Sequence, residues 1–393
     1  MPFDPNLAAD AVDADEVLAV ARSLLAARSE NPGGTEDEAA AVAAGVLEGL
    51  GAVPEVVRSA AGRPSVVATI GDGDGPALAW NGHLDTVPAG SLDTWTADPF
   101  AGEVIDGRLI GRGACDMKGP IAAALAAAAA VRRAGATGPG RVTFHLAADE
   151  ELAGIHGTQV LWERGFLTQG AAIVGEPSDL AVGLAERGGA WITATAHGTA
   201  AHGSQPDRGV NAITSMARYL LRLPEVLPDL EHPLCGRPTV NAALIDGGSA
   251  PNVVPDRCTV DIDRRLLPGE DDRDAVLAPF AALAADIRRE HPEVDVRAEI
   301  REWTDAAEAP ADTWVADAVR TATRAERGQA PTDVGFTGIT DARFYINDAR
   351  IPTVIFGPGS LGVAHTANEW VAVDDLVAAA RIYARIFAGV LAG

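Results

Sequence analysis

Five short segments of this 393-residue sequence place imidazole and carboxylate groups where apolar strand-like runs end. The first, Ala77-Leu-Ala-Trp-Asn-Gly-His83-Leu-Asp85-Thr-Val-Pro88, sets a histidine and an aspartate two residues apart, and in an extended chain such residues point to the same side. A metal-ligating histidine usually donates its second ring N–H to a carboxylate or carbonyl, so Asp85 is a candidate partner for His83. The competing reading is a structural histidine satisfied by its neighbours. The second segment is Gly111-Arg-Gly-Ala-Cys-Asp116-Met-Lys-Gly-Pro120, followed at once by an alanine-rich helical stretch. Its glycines permit tight turns, and Asp116 precedes a helix N-terminus, where negative charge is favoured, so it reads either as a ligand or as a capping carboxylate. Cys115 reads as a small buried residue.

Three consecutive acids, Asp149, Glu150 and Glu151, close the apolar run Val142-Thr-Phe-His-Leu-Ala-Ala. Neighbouring carboxylates repel one another and need a cation or solvent, so the trio is either part of a metal site or a solvated loop. In a metal site one glutamate could coordinate while the other serves as general base. Glu176 follows Ala-Ile-Val-Gly, and His365 lies in Gly359-Ser-Leu-Gly-Val-Ala-His-Thr-Ala-Asn-Glu369-Trp. Ligand sites of open α/β sheets gather at the carboxyl ends of strands, where all five segments fall. Two histidines and several carboxylates together match the nitrogen and oxygen donors of a hydrolytic metal centre.

The elements that must position these groups follow from periodicity. Helical patterns cover 14–28 and 36–50, the second introduced by Thr35 with Glu38 three residues on, which predicts a capping box. Short apolar runs at 65–70, 77–80, 142–147, 171–174 and 353–356 alternate with alanine-rich helices, the pattern of a mixed α/β sheet covered by helices. Between about 183 and 303 the rhythm becomes strand (190–196), helix (210–223), strand (240–246), strand (257–267), helix (273–290), strand (294–302). That β-α-β-β-α-β order predicts a ferredoxin-like α+β domain. Because the first pattern resumes afterwards, ending in a helix from Asp374, the expected organisation is a discontinuous catalytic domain, 1–182 and 304–393, carrying an inserted lid or dimerisation domain, 183–303.

Bulk properties restrict the partners. Apolar residues make up 47% of the chain and charged residues 22%, enough for two sizeable cores. The formal net charge of −24 repels nucleic acid and anionic membranes. Cys115, Cys235 and Cys258 are widely spaced, without a CxxC pair, which predicts a reducing compartment and no disulfide framework. The acidic first residues carry no secretory leader pattern. The most apolar stretch, 121–131, is too short for the ~20 residues of a membrane span and reads as a buried helix. A cytoplasmic protein is therefore expected.

The order HLDTVP, GRGACDMKG, DEE, GEPS and AHTANEW resembles the M20 metallopeptidase family, which includes acetylornithine deacetylases, succinyl-diaminopimelate desuccinylases and aminoacylases. The likeness covers nearly the whole chain. It implies two divalent metal ions, zinc with cobalt as the alternative: His83 and Glu176 on one, Glu151 and His365 on the other, Asp116 bridging, Asp85 supporting His83, and Glu150 as general base. In the inserted domain it implies that His202 stabilises an oxyanion and that Asn252 and Arg265 hold a substrate carboxylate. Arg264 is the other candidate, because two arginines adjoin; a turn residue is the alternative for His202. One departure is Leu152-Ala-Gly-Ile-His156-Gly-Thr after the three acids, where relatives are richer in glycine; His156 reads as a surface or packing residue or as part of a specificity pocket.

The activity implied is metal-dependent hydrolysis of the amide bond of a small N-acyl amino acid, of deacetylase or desuccinylase type. The segments Asp261-Ile-Asp-Arg-Arg-Leu-Leu-Pro-Gly-Glu270 and Gly338-Ile-Thr-Asp341-Ala-Arg343-Phe-Tyr resemble that branch. A dipeptidase or carboxypeptidase would share the same metal chemistry, and a non-catalytic metal-binding protein would not need Glu150. A homodimer is expected, with His202 supplied by the partner subunit, as the resemblance implies.

Overall fold

The computed structural model describes residues 3–393, and the chain divides into two compact units. One consists of the chain up to Leu184 with Glu308–Phe336 and Thr340–Gly393; the other is Ala185–Ala307 with Thr337–Ile339. The short second piece of the inserted unit leaves no trace in the sequence periodicity.

The first unit is built on a nine-stranded mixed sheet. Along it lie Glu55–Arg58, Pro64–Ile70, Arg141–Ala147, Ala77–His83, Ala171–Val174, Thr353–Ile355, Val182–Glu186 and Ala307–Glu308, with Asp333–Phe336 joined to Val182–Glu186. The four central strands, from Arg141–Ala147 to Thr353–Ile355, run parallel. Strands buried on both faces read as continuous apolar runs, and Ala77–His83 and Ala171–Val174 are buried throughout. A small antiparallel sheet joins Trp370–Ala372, Arg108–Ile110 and Glu103–Ile105.

Alanine determines the helical layer. In Lys118–Ala134 every residue from Lys118 to Val131 is buried, because methyl side chains let neighbouring helices approach closely. The helix packs against Val373–Ala392 and Ala14–Ala26 and ends on Gly135 at φ 74°, a left-handed cap that glycine adopts without Cβ strain. Large aromatics fill the sheet side of the layer: Trp80 meets Tyr383 edge-on with ring centroids 5.7 Å apart, and Phe144 meets Phe387 at the same distance.

Two local expectations differ from the structure. The helix after Thr35 spans Asp37–Gly49 and has no side-chain cap; the Thr35 hydroxyl donates to Asp37 Oδ2 instead, and Glu38 closes no capping box. The reason is the next residue, Glu36, which is buried against Arg63 and holds the chain there. A further short helix, Pro5–Asp10, capped by Asp4, precedes the expected ones.

The inserted unit is an antiparallel sheet in the order Thr239–Gly247, Arg257–Leu266, Gly188–His197, Asp295–Thr304, with helices Ala212–Leu221 and Arg273–Glu290. This is the ferredoxin-like order. In Arg257–Leu266 residues alternate strictly, so Cys258, Val260, Ile262, Arg264 and Leu266 face the core shared with Met216, Tyr219, Phe280 and Leu283. Each fully buried side chain of this size stabilises by about 1.5–3 kcal/mol relative to exposure. The edge strand Thr239–Gly247 is the exception, exposing Leu244 (67%) and Ile245 (62%).

Candidate metal centre

The parallel strands deliver their polar residues to one end of the sheet of the first unit. His83 is the last residue of Ala77–His83, Glu150 and Glu151 form a 3-10 turn after Arg141–Ala147, and Glu176 follows Ala171–Val174. Asp116 stands before Lys118–Ala134, whose N-cap position is Met117 with no side-chain cap; the capping reading of Asp116 is therefore not what the fold uses. His365 lies beyond Thr353–Ile355 at φ 62°.

Asp116 is the centre of the arrangement. Its Oδ1 lies 2.9 Å from His83 Nε2, and its Oδ2 lies 3.2 Å from His365 Nε2. On the His83 side, Glu176 Oε1 is 3.7 Å and Glu150 Oε2 3.9 Å from Nε2; on the His365 side, Glu151 Oε2 is 3.1 Å from Nε2. Donor atoms of His83, Glu150 and Glu176 lie within 4.8 Å of one another, and so do those of His83, Asp116 and Glu151. The carboxylates are nearly inaccessible, which excludes the solvated-loop reading of 149–151.

Four buried carboxylates at this spacing repel strongly, and among the described residues only imidazoles face them as cations within 4 Å. Their titration reports the strain. Burial, reinforced by neighbouring acids, drives Glu150 and Glu176 well above the usual carboxylate range and raises Glu151. Burial opposes ionisation of Asp116 too, yet its hydrogen bonds to His365 and His83 hold it well below that range. The bonds from Asp116 and Glu151 lift His365 to about 10, and His83 is raised well above its ordinary value although burial pulls the other way. Divalent cations would relieve the same repulsion, taking the place of the protons on the imidazoles. The donor set fits them: nitrogen and oxygen donors gathered around one aspartate whose two oxygens face different histidines.

Asp85 approaches His83 with its backbone carbonyl and, at longer range, with its carboxylate. The His83 Nδ1–H donates to the Asp85 backbone carbonyl at 2.9 Å, leaving Nε2 for a metal, whereas the carboxylate oxygen is 3.5 Å away. That carboxylate also accepts the backbone N–H of Glu150 (3.1 Å) and Glu151 (3.2 Å) and the Asn31 amide (2.9 Å). It fixes the turn that presents both glutamates. Beneath it Asn31 also donates to Asp149 at 3.2 Å, and Glu36, paired with Arg63, accepts the Asp149 N–H at 3.2 Å.

Sequence reasoning did not single out Asn31, Glu36 and Arg63: Asn31 and Arg63 lie outside every periodic segment, and Glu36 only opens the helical pattern 36–50. It also passed over Glu369, although that residue stands in the His365 motif. Glu369 is fully buried, burial lifts its carboxyl to about 7 against the pull of Arg112, and Oε1 accepts three backbone N–H groups from the Asp116 turn. Asp341 and Arg343 brace the other side: Thr158 donates to Asp341 at 2.6 Å, and Arg343 donates to the Ala153 carbonyl just after the two glutamates. The His156 N–H donates to Asp149 Oδ2 at 3.1 Å while its ring is half-buried.

The inserted unit holds the remaining candidates. His202 and Asn252 lie on adjoining loops, where His202 pairs with Val253 and the Gly203 N–H donates to the Asn252 carbonyl at 2.7 Å. The Ser204 N–H donates to His202 Nδ1 at 3.2 Å, so Nε2 carries the proton and is a donor. Arg264 is buried and paired with Glu270 at 2.5 Å, while Arg265 is partly exposed beside Asp263. The structure does not bring Arg265 to the other two. The His202 and Asn252 loops flank the Arg257 end of the strand Arg257–Leu266, and Arg265 is eight residues further along, about 26 Å at ~3.3 Å per residue.

Comparison with known proteins agrees with this architecture. The chain is 35% identical over 327 residues, 81% of each sequence, to the acetylornithine deacetylase of Myxococcus xanthus. It is 33% identical over 396 residues, 97% of this chain and 98% of the relative, to the succinyl-diaminopimelate desuccinylase of Rhodospirillum centenum. Its fold superposes on human carnosine dipeptidase 1 with a TM-score of 0.80 at 19% identity, covering 100% of both chains. Residues 79–388 match a family of amide-cleaving enzymes, and together with its clustered donors this chain is a member of peptidase family M20/M25/M40, a family whose chemistry implies divalent metal ions here.

Proposed function

We propose that the protein hydrolyses the amide bond of a small N-acyl amino acid, as a deacetylase or desuccinylase, with two zinc ions, cobalt being the alternative. The observation that carries this reading is Asp116, whose two oxygens each face a different histidine. His83, Glu176 and Asp116 would hold one ion, and His365, Glu151 and Asp116 the other. When bound, such ions would supply the Lewis acidity that acidifies a water and polarises the scissile carbonyl. Glu150, beside that position but not needed as a ligand, accepts the water's proton and returns it to the leaving amine. Asp85 holds Glu150 and Glu151 in place through their backbone N–H groups.

His202 donates from Nε2 to the developing oxyanion, and Asn252 and Arg265 hold the substrate carboxylate. Because one inserted unit separates Arg265 from the other two by about a strand length, a single copy of that unit does not present all three to one small substrate. This supports a homodimer in which the partner contributes His202 and Asn252. The open edge strand, with Leu244 and Ile245 exposed, supplies apolar side chains for that pairing. The cytoplasm suits three buried free thiols; no helix of the described residues is long and apolar enough to cross a membrane.

The test is a panel of N-acetyl, N-succinyl and N-formyl amino acids and dipeptides, assayed on metal-stripped protein with and without zinc or cobalt. Metal-dependent cleavage of acyl amino acids supports the reading. Preferential cleavage of dipeptides selects the peptidase alternative, and undiminished turnover in protein shown metal-free by elemental analysis rejects the mechanism.

A further inference from the structure

Glu369 takes no part in the chemistry above, yet the turn that carries Asp116 is folded around it. Its Oε1 accepts the N–H of Gly113 at 3.1 Å, of Cys115 at 2.9 Å and of Asp116 itself at 3.0 Å. Its Oε2 pairs with Arg112, and Arg112 in turn donates to the Thr366 carbonyl at 3.2 Å, next to His365. The Gly111 N–H donates to the Glu369 carbonyl at 2.9 Å. One buried carboxylate thus fastens the Asp116 turn to the segment that carries His365. These are the two ligands that meet at Asp116 Oδ2. His83, by contrast, is fixed by its strand and by the Asp85 carbonyl.

We propose that Glu369 is a positioning residue for one metal position only, the one formed by His365, Glu151 and Asp116 Oδ2, and that it sets the affinity of that position apart from its neighbour's. This rests on the two-metal reading. Three converging N–H groups and a guanidinium are all donors, and a carboxylate alone satisfies them together. A glutamine keeps the shape, but its NH2 must face a donor whichever way the amide turns. Either the backbone N–H groups or Arg112 then lose their acceptor. The His365 segment loosens from the Asp116 turn while the His83 side keeps its own supports.

The experiment titrates chelator-stripped full-length protein with Co²⁺, followed by calorimetry and by the visible d–d spectrum. Wild type should show two equivalents. In Glu369→Gln the first should bind as in wild type and the second about 10–100-fold more weakly, the loss typical of a group that orients a ligand. The spectral change should be confined to the second equivalent. A general structural role would lower the melting temperature without this selectivity. Folded Glu369→Gln that binds both equivalents with wild-type affinity, or loses both alike, overturns the proposal. If that variant does not fold, Arg112→Gln decides: the second equivalent alone should weaken, and wild-type affinity for both overturns the proposal. Fewer than two equivalents in wild type would instead reject the two-metal reading, and this proposal with it.

Discussion

His145 makes the fold sensitive to acid independently of any metal. It lies on the strand leading to Glu150 and Glu151, fully buried, with Nδ1 2.7 Å from the Tyr345 hydroxyl and Nε2 without a partner. Burial pulls its pKa from 6.5 down to about 3. The folded state therefore keeps the imidazole neutral where the unfolded chain protonates it. Below pH 6.5 the unfolded state binds more protons, so stability falls as pH falls, and the loss is complete only below about 3. At 1.36 kcal/mol per pKa unit the 3.5-unit depression amounts to about 5 kcal/mol in total. About 2 kcal/mol of this is lost between pH 8 and pH 5. The perturbation is His145→Phe with Tyr345→Phe, because the single change takes from the tyrosine hydroxyl, which also faces Asn81, its 2.7 Å partner, at a pH-independent cost of up to about 1–3 kcal/mol. Urea unfolding of metal-stripped protein at pH 8 and pH 5 measures the effect. The double variant should lose about 2 kcal/mol less than wild type over that interval, whatever its absolute stability. An equal loss in both proteins refutes the assignment of this acid sensitivity to His145.

Three further outcomes concern the site. Glu150→Gln should keep its metal content and lower kcat by about 10²–10⁴, while Glu151→Ala should lose metal; elemental analysis showing the reverse would exchange their roles. Metal-replete His202→Ala should lower kcat by about 10²–10³ with little change in KM, since the contact forms mainly in the transition state, and a kcat within a few-fold of wild type would make His202 only a turn residue. Leu244→Lys should convert the proposed homodimer to monomer in sedimentation and lower kcat/KM in parallel; a fully active monomer would mean that one chain completes its own site.

Much of this protein was determined by local pattern. The continuous apolar runs ending at His83, 147 and 174 and the alanine-rich stretch before Ala134 could be buried only in one kind of layered sheet, and the β-α-β-β-α-β rhythm of the insertion follows from period-2 and period-3.6 patterning alone. Parallel strands then bring polar residues that follow them to one edge, so the candidate ligands were legible before any coordinate was known. Tertiary structure alone decided which polar atoms meet. A strand's alternation places Arg264 inward, but only the fold supplies Glu270 to neutralise it, while Arg265 on the other face is partly exposed beside Asp263. Asp85 stands two residues from His83 in sequence, yet its carboxylate also serves the distant turn of Glu150 and Glu151, and Glu369 reaches back more than 250 residues to shape the turn of Asp116. Such contacts depend on long-range placement of hydrogen-bond donors, which neither hydrophobic period nor local propensity encodes.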